Sequence, residues 1–377
     1  MTQPLLKACF LNTSINFLTP EPELFTKSLI KNTKIDICIF NVDKKVDLSE
    51  LMDRSKEFDL FIVDSWALLH DSQFFTGGFR ESHIYQEDFE TSCKQLSIFK
   101  KWATSAIKNH LKEKIFFLYS GALDYWRIHN KDLSLLKNLL ESQNFILWSP
   151  DPIFCSEKSM VHSYNELIKH AKQKDSFLEL RHAIDLAYDY RGRHIEKIYL
   201  INMLPSLSPE RINMFNQLKG IMCNESRELY RESINALVIY KKHLSKFNLN
   251  HNLEMLPQLK REKSYLMDLY RKILILSKTI CTTPTRYSAF IRKYVEVPNA
   301  NCLLIAPRCG WEDKIFRGIK YPLIDYNDQF FNSTADLIEI KYNNSSAQLE
   351  LVQSYLEHFN SYEKRIDNLL DYFVLKN

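Results

Sequence analysis

The sequence predicts an α/β protein with parallel sheets in two domains, and three observations lead to this prediction. Short apolar runs alternate with helical stretches through residues 1–190, and a second alternation follows. Strands that alternate with helices pair in parallel, because a parallel connection needs a crossover segment. The chain has 377 residues, 45% of them hydrophobic and 13% aromatic, which is enough for two substantial cores.

The first domain is predicted from apolar runs that have the length and the composition of buried strands. These runs are 5–12, 34–42, 59–66, 114–121 and 145–150. Helical stretches such as 97–112 and 132–143 separate them, so we expect a doubly wound, Rossmann-like sheet. The segment 67–95 fits no strand–helix unit, and an irregular insertion of this length favours a binding loop or lid.

Acidic residues follow several of these predicted strands. Asp64, Asp124 and Asp151 each stand at or after a strand end, and ligands of parallel sheets bind outside the carboxyl ends of the strands. Each is therefore a candidate general base or acceptor ligand, as is His83 in the insertion. The alternative is that each aspartate caps a turn or a helix.

The second domain is predicted to begin near residue 191. Its strand-like runs are 197–204, 279–283, 302–307 and 321–326, and its helical stretches are 209–219 and a long zone over 225–278. Residues 346–374 read as a strongly amphipathic helix or a pair of helices.

The segment from Arg286 to Cys309 carries the strongest functional signal. It opens with helical character, continues through the basic pair Arg292-Lys293 and the acid Glu296, and closes on an apolar strand. A charged helix end that feeds a central strand is typical of nucleotide sites in open α/β sheets. The alternatives are that Glu296 pairs with Arg292 and that the basic pair solvates a helix face.

Several segments resemble GT-B glycosyltransferases of the spore-maturation-type, family-1-like group. They are RKYVEVPNANCLLIAP at 292–307, FILWSPDP at 145–152, RHAID at 181–185 and KIYLINMLPSLSPERI at 197–212. The resemblance implies a GT-B-like fold, with two Rossmann-like domains whose parallel sheets face each other across a cleft. It implies a first domain over 1–190, a nucleotide-sugar-binding domain over 191–350, and a C-terminal helix over 351–377 that braces the first domain.

The resemblance also implies roles for individual residues. Glu296 would bind the ribose hydroxyls of the donor nucleotide, and four basic residues would contact its phosphates. The residues that would bind the donor phosphates are Arg211, Arg286, Arg292 and Lys293. The catalytic candidates are Asp124, Asp151 and His182. The chain departs from the family pattern at Arg181, Ser288 and Asn301, where the group has proline, glutamate and a turn glycine.

The activity implied is metal-independent, hexosyltransferase-type transfer of a sugar from a nucleotide sugar to a glycan, lipid-linked or protein acceptor. The donor is a co-substrate, and no cofactor or metal is expected, because no Asp-x-Asp motif occurs. Two alternatives stay open: a CMP-linked keto-sugar transferase, and a non-catalytic protein that binds a glycan or a partner.

Composition adds few constraints. A net charge of +4 does not favour nucleic acid as a partner. The eight cysteines have no CxxC spacing, so we expect buried free thiols. Without a predicted leader or membrane span the chain is expected to be cytoplasmic, and a peripheral contact with a membrane surface stays open.

Overall fold

The computed structural model describes most of the chain, and its described residues fall into two compact units. The described ranges are 5–13, 21–43, 47–69, 89–119, 130–149, 161–180, 183–184, 195–250, 253–282, 292–308, 312, 316–326 and 335–376. The first unit contains the described residues up to 180 together with the last helix, Tyr362–Lys376. The second unit contains the described residues from 183 to 361.

The first unit is built on a six-stranded sheet. Its strands are β1 (Leu6–Asn12), β2 (Ile35–Asn41), β3 (Leu60–Asp64), β4 (Ile115–Tyr119), β5 (Phe145–Ser149) and β6 (Phe177–Glu179). The order is β2-β1-β3-β4-β5-β6, and every pair is parallel. The five predicted strands are confirmed, as is the α/β class. Strand β6 was not predicted, since it has only three residues.

Helices flank this sheet along the chain. They are α1 (Glu21–Lys31), α2 (Leu48–Arg54), α3 (Ser65–Leu69), α4 (Phe89–Ser105, continued by a π-helical turn, Ala106–His110), α5 (Asn130–Leu140) and α6 (Val161–Gln173). The rings of Phe25, Tyr119 and Trp148 pack together in the core. The last helix of the chain joins this unit, because Arg365 Nη1 donates to the Tyr119 hydroxyl at 2.8 Å and the Tyr372 hydroxyl donates to the Asp175 carbonyl at 2.7 Å.

The second unit is built on a four-stranded parallel sheet. Its strands are β7 (Tyr199–Met203), β8 (Ser277–Cys281), β9 (Leu303–Ala306) and β10 (Leu323–Asp325), in the order β10-β9-β8-β7. Its helices are α7 (Pro209–Leu218), α8 (Asn224–Asn250), α9 (Leu256–Leu276), α10 (Lys293–Asn299), α11 (Ala335–Asn344) and α12 (Ser346–Phe359). The C-terminal helix of the chain, named α13, is Tyr362–Lys376.

Three details of the second unit refine the prediction. The predicted helical zone 225–278 is two helices, and β8 begins at Ser277, inside that zone. Helix α10 contains Pro298 close to its end at Asn299. Asn301 then adopts the left-handed conformation with φ +56°, which asparagine tolerates better than most residues that carry a side chain.

The polar side chain of Asn144 secures the end of the π-helical turn. Its Nδ2 lies 3.0 Å from the Leu111 and Lys114 carbonyl oxygens and 3.3 Å from that of Ile107. Asn144→Ala removes the donor from these carbonyls, so we expect a loss of about 2 kcal/mol in the free energy of unfolding, measured by urea denaturation. The exposed Asn138→Ala change is the matched control and should stay within about 0.5 kcal/mol of wild type.

Among the described helices, none combines the length and the apolar character that crossing a bilayer requires.

Candidate functional site

The carboxyl ends of β7 and β8 bring a buried arginine to the edge of the second sheet. Arg211 lies in the first turn of α7, where the Ser208 side chain caps the helix by accepting a hydrogen bond from the Arg211 amide. The arginine side chain is only 3% exposed. Nη1 donates to the Leu204 carbonyl at 2.9 Å, and Nη2 donates to Thr282 Oγ1 at 2.7 Å. Arg211 is therefore a buried arginine whose side chain is held by the Leu204 carbonyl and the Thr282 hydroxyl.

A second cation reaches the same threonine. Lys293 opens α10, is half-buried, and places Nζ 3.4 Å from Thr282 Oγ1. Burial lowers the pKa of Lys293 to about 7; the neighbouring Arg211 charge lowers it further, while Glu296 opposes the shift. Thr282 is itself fixed, because its amide donates to the Ile305 carbonyl at 2.9 Å. Two cations thus converge on one hydroxyl at the carboxyl end of β8.

Glu296 forms a second, adjoining cluster. One carboxylate oxygen accepts from Arg292 Nε, and the other accepts from the Tyr270 hydroxyl at 2.7 Å. The Glu296 side chain is 12% exposed. The pairing of Glu296 with Arg292 that the sequence left as an alternative is present. Arg292 is therefore engaged by an acid of its own helix, whereas Lys293 turns toward Thr282.

A buried tyrosine adds an unused polar group near Arg211. The Tyr230 ring stacks on Phe215 with the ring centroids 4.6 Å apart, and its hydroxyl makes no hydrogen bond among the described residues. Burial raises the pKa of the Tyr230 phenol, and the Arg211 charge opposes that rise. A buried hydroxyl without a partner costs stability, and such groups often mark functional sites.

The combined arrangement is suited to an anion. Placing two cations side by side is unfavourable unless a negative ligand compensates their repulsion, and perturbed titratable groups of this kind concentrate at functional sites. Arginine and lysine are also the side chains that make charge-assisted hydrogen bonds to phosphate oxygens.

The first unit offers one described candidate. Asp64 ends β3 and accepts a hydrogen bond from Thr13 Oγ1 at 2.5 Å. These residues follow β1 and β3, between which the strand order reverses, and this is where doubly wound sheets bind ligands. The other predicted residues lie outside the described residues: Asp124, Asp151, His182, His83 and Arg286.

Sequence reasoning missed Thr282, Tyr270 and Tyr230. Thr282 alone had a local signal, because it directly follows a predicted strand, where parallel sheets bind ligands. The two tyrosines lie within long helices and carry no positional signal.

Comparison with known proteins assigns the chain to no family. No protein-family model and no curated protein matches it. Among solved structures, the chain is similar to the N-terminal domain of trehalose-6-phosphate phosphatase from Candida albicans, with 11% identity, a TM-score of 0.48, and coverage of 99% of this chain and 97% of that one. The molecule is an α/β protein with parallel sheets in two units.

Proposed function

We propose that the second unit binds the diphosphate of a nucleotide sugar and that the protein is a glycosyltransferase. The observation that carries this proposal is the convergence of Arg211 and Lys293 on Thr282 at the carboxyl end of β8. The resemblance of residues 292–307 to the donor-binding segment of GT-B enzymes supports the choice of a nucleotide sugar among phosphate ligands. The acceptor would be a glycan, a lipid-linked sugar or a protein.

The two cations would act on the leaving group. Glycosyl transfer breaks the bond between the anomeric carbon and the phosphate oxygen through an oxocarbenium-like transition state. Negative charge grows on the phosphate as this bond breaks, so cations aimed at the phosphate stabilise the transition state more than the ground state. Arg211 is held in position by Leu204 and Thr282, which would limit reorganisation during the reaction.

Glu296 would orient the ribose. A carboxylate has about four acceptor positions, and Arg292 and Tyr270 use one on each oxygen. The remaining positions can accept hydrogen bonds from ribose hydroxyls. In this proposal Arg292 and Tyr270 are positioning residues for Glu296, and Lys293 and Arg211 are the phosphate ligands.

A reaction that inverts the anomeric carbon would need a general base to deprotonate the acceptor. Asp64 is the described candidate, with Thr13 fixing its carboxylate. Asp124, Asp151 and His182 remain candidates from the resemblance.

A thermal-shift screen of the full chain against UDP, GDP, CMP and ADP tests the proposal. A nucleotide present at 100 times its Kd stabilises the native state by about 2.7 kcal/mol, which is a measurable rise in Tm. We expect UDP, GDP or ADP to raise the Tm. A response to CMP alone would favour the keto-sugar transferase, and a response to none would favour the non-catalytic binding protein.

Glu296→Ala separates a ribose ligand from a structural acid. We expect the variant to fold and to lose the Tm response to the nucleotide that stabilises the wild type, because the hydroxyl acceptor is gone. Glu350→Ala, an exposed acid on α12, is the matched control and should respond as the wild type does. A full response in Glu296→Ala would remove Glu296 from the site.

A further inference from the structure

Helix α8 exposes a stripe with two acids toward its start, two bases toward its end, and Asn235 and Ile239 between them; the exposed Arg231 borders the acidic end. The face is a stripe with spacings of three and four residues, within about 80° of arc around the helix. Its members are Glu228, Glu232, Asn235, Ile239, Lys242 and Lys246, all of them exposed. Val238, beside the stripe, is 45% exposed, and Ile239 is 49% exposed.

The charges on this face are arranged symmetrically about the middle of the helix. Leu237 is the central residue of Asn224–Asn250. Glu228 and Lys246 each lie nine residues from Leu237, and Glu232 and Lys242 each lie five residues from it. A second copy of the helix, turned by a two-fold axis at Leu237, therefore places an acid opposite a base at all four positions.

The stripe itself forms one side of a groove between α8 and α9, since Glu228, Glu232, Asn235 and Ile239 all line it. It has a volume of about 520 Å³, and Ala236 and Ile239 give it apolar walls. Glu262 and Tyr265 of α9 close its far side, and the Tyr265 hydroxyl donates a hydrogen bond to Glu232. Such a groove can receive apolar side chains from a helix that lies along the stripe.

We propose that α8 pairs with α8 of a second copy of this chain, antiparallel, about a two-fold axis at Leu237. Each Glu228–Glu232 end faces the Lys242–Lys246 end of the other copy, and the two Ile239 side chains meet near the centre. The interface is isologous, as in most homodimers.

The area of this helix face sets the expected strength of dimerisation. A helix of 27 residues is about 40 Å long and 10 Å wide, so each copy contributes about 400 Å². The total of about 800 Å² lies below the roughly 1,200 Å² at which stable specific interfaces begin, so we expect a weak, transient dimer with a dissociation constant in the micromolar range. Because the acid–base pairs are exposed, the dimer should dissociate further as salt rises.

Paired charge reversals test this geometry by sedimentation equilibrium of the full chain. The all-basic variant carries Glu228→Lys and Glu232→Lys, and the all-acidic variant carries Lys242→Glu and Lys246→Glu. Like charges then face each other in both homodimers, so we expect at least about a tenfold weaker association for each alone. An equimolar mixture should dimerise again, since every facing pair is opposite in sign. All four positions are exposed, so both variants should fold.

Matched changes elsewhere complete the experiment. The double variant Glu113→Lys and Glu350→Lys makes the same charge change as the all-basic variant, but on exposed residues outside α8. It should leave the dissociation constant of the dimer unchanged. Ile239→Asp should weaken the dimer, and a change in salt concentration should not restore it. The proposal is overturned if the wild type remains monomeric at about 100 μM. It is equally overturned if the two reversed variants fail to associate when mixed, or if a dimer persists in each of them. None of these outcomes depends on nucleotide binding.

Discussion

Lys293→Ala will weaken the binding of the stabilising nucleoside diphosphate by about 10- to 150-fold at pH 7. This range corresponds to the loss of one charge-assisted hydrogen bond to phosphate, about 1.5–3 kcal/mol. Arg211 keeps its own phosphate contact in the variant, but Leu204 and Thr282 hold it in place, so it cannot replace the contact that Lys293 made. Isothermal titration calorimetry of wild type and variant measures the difference.

Two further variants test whether the lost affinity comes from the positive charge at position 293. Lys293→Arg keeps the positive charge and should retain most of the affinity. Lys272→Ala removes an exposed lysine of α9 and should change the affinity by less than twofold. If Lys293→Ala binds the nucleotide as tightly as the wild type, the diphosphate does not bind at Thr282.

The second large effect is a pH dependence of nucleotide affinity. The pKa of Lys293 is lowered from 10.5 to about 7 by burial and by Arg211, so its ammonium form is lost as pH rises through 7. A diphosphate stabilises the ammonium form and raises this pKa in the complex, so binding takes up a proton. We expect affinity to fall by as much as tenfold per pH unit above pH 7.

The Lys293→Arg variant isolates this effect. Its guanidinium stays charged over the whole range, so its affinity should stay flat where that of the wild type falls. The ionisation of the nucleotide is common to both proteins and cancels in the comparison. Calorimetry from pH 6 to 9 in two buffers of different ionisation enthalpy measures both affinity and proton uptake. Parallel pH profiles for the two proteins would show that Lys293 does not titrate on binding.

The same shifted lysine affects stability in the absence of nucleotide. Between about pH 7 and 10.5 the unfolded chain binds more protons at Lys293 than the folded chain does, because the folded pKa is the lower one. The contribution of Lys293 therefore makes the free energy of unfolding rise with pH across this window.

Local patterns were sufficient to predict every described strand except β6. The apolar runs at β3, β4 and β5 contain five residues each and are buried throughout or nearly so, which gives a clear signal over a short window. The parallel pairing also followed, because helices separate the strands. The three-residue strand β6 gave no comparable signal.

The site was only partly predictable, since its contacts join distant residues. Arg292 and Lys293 are adjacent, and the sequence could not assign them separate roles. Side chains one residue apart on a helix point about 100° away from each other, so Arg292 meets Glu296 four residues on while Lys293 faces Thr282. The burial of Arg211 depends on Thr282, 71 residues away, and no local pattern reports such a contact.

The location of a bound diphosphate tests the central claim most directly. A crystal structure of the full chain with the stabilising nucleoside diphosphate should place phosphate oxygens within hydrogen-bonding distance of Lys293 Nζ and the Arg211 guanidinium, beside Thr282. Diphosphate density at any other place on the protein, with Lys293 still directed at Thr282 alone, would contradict it.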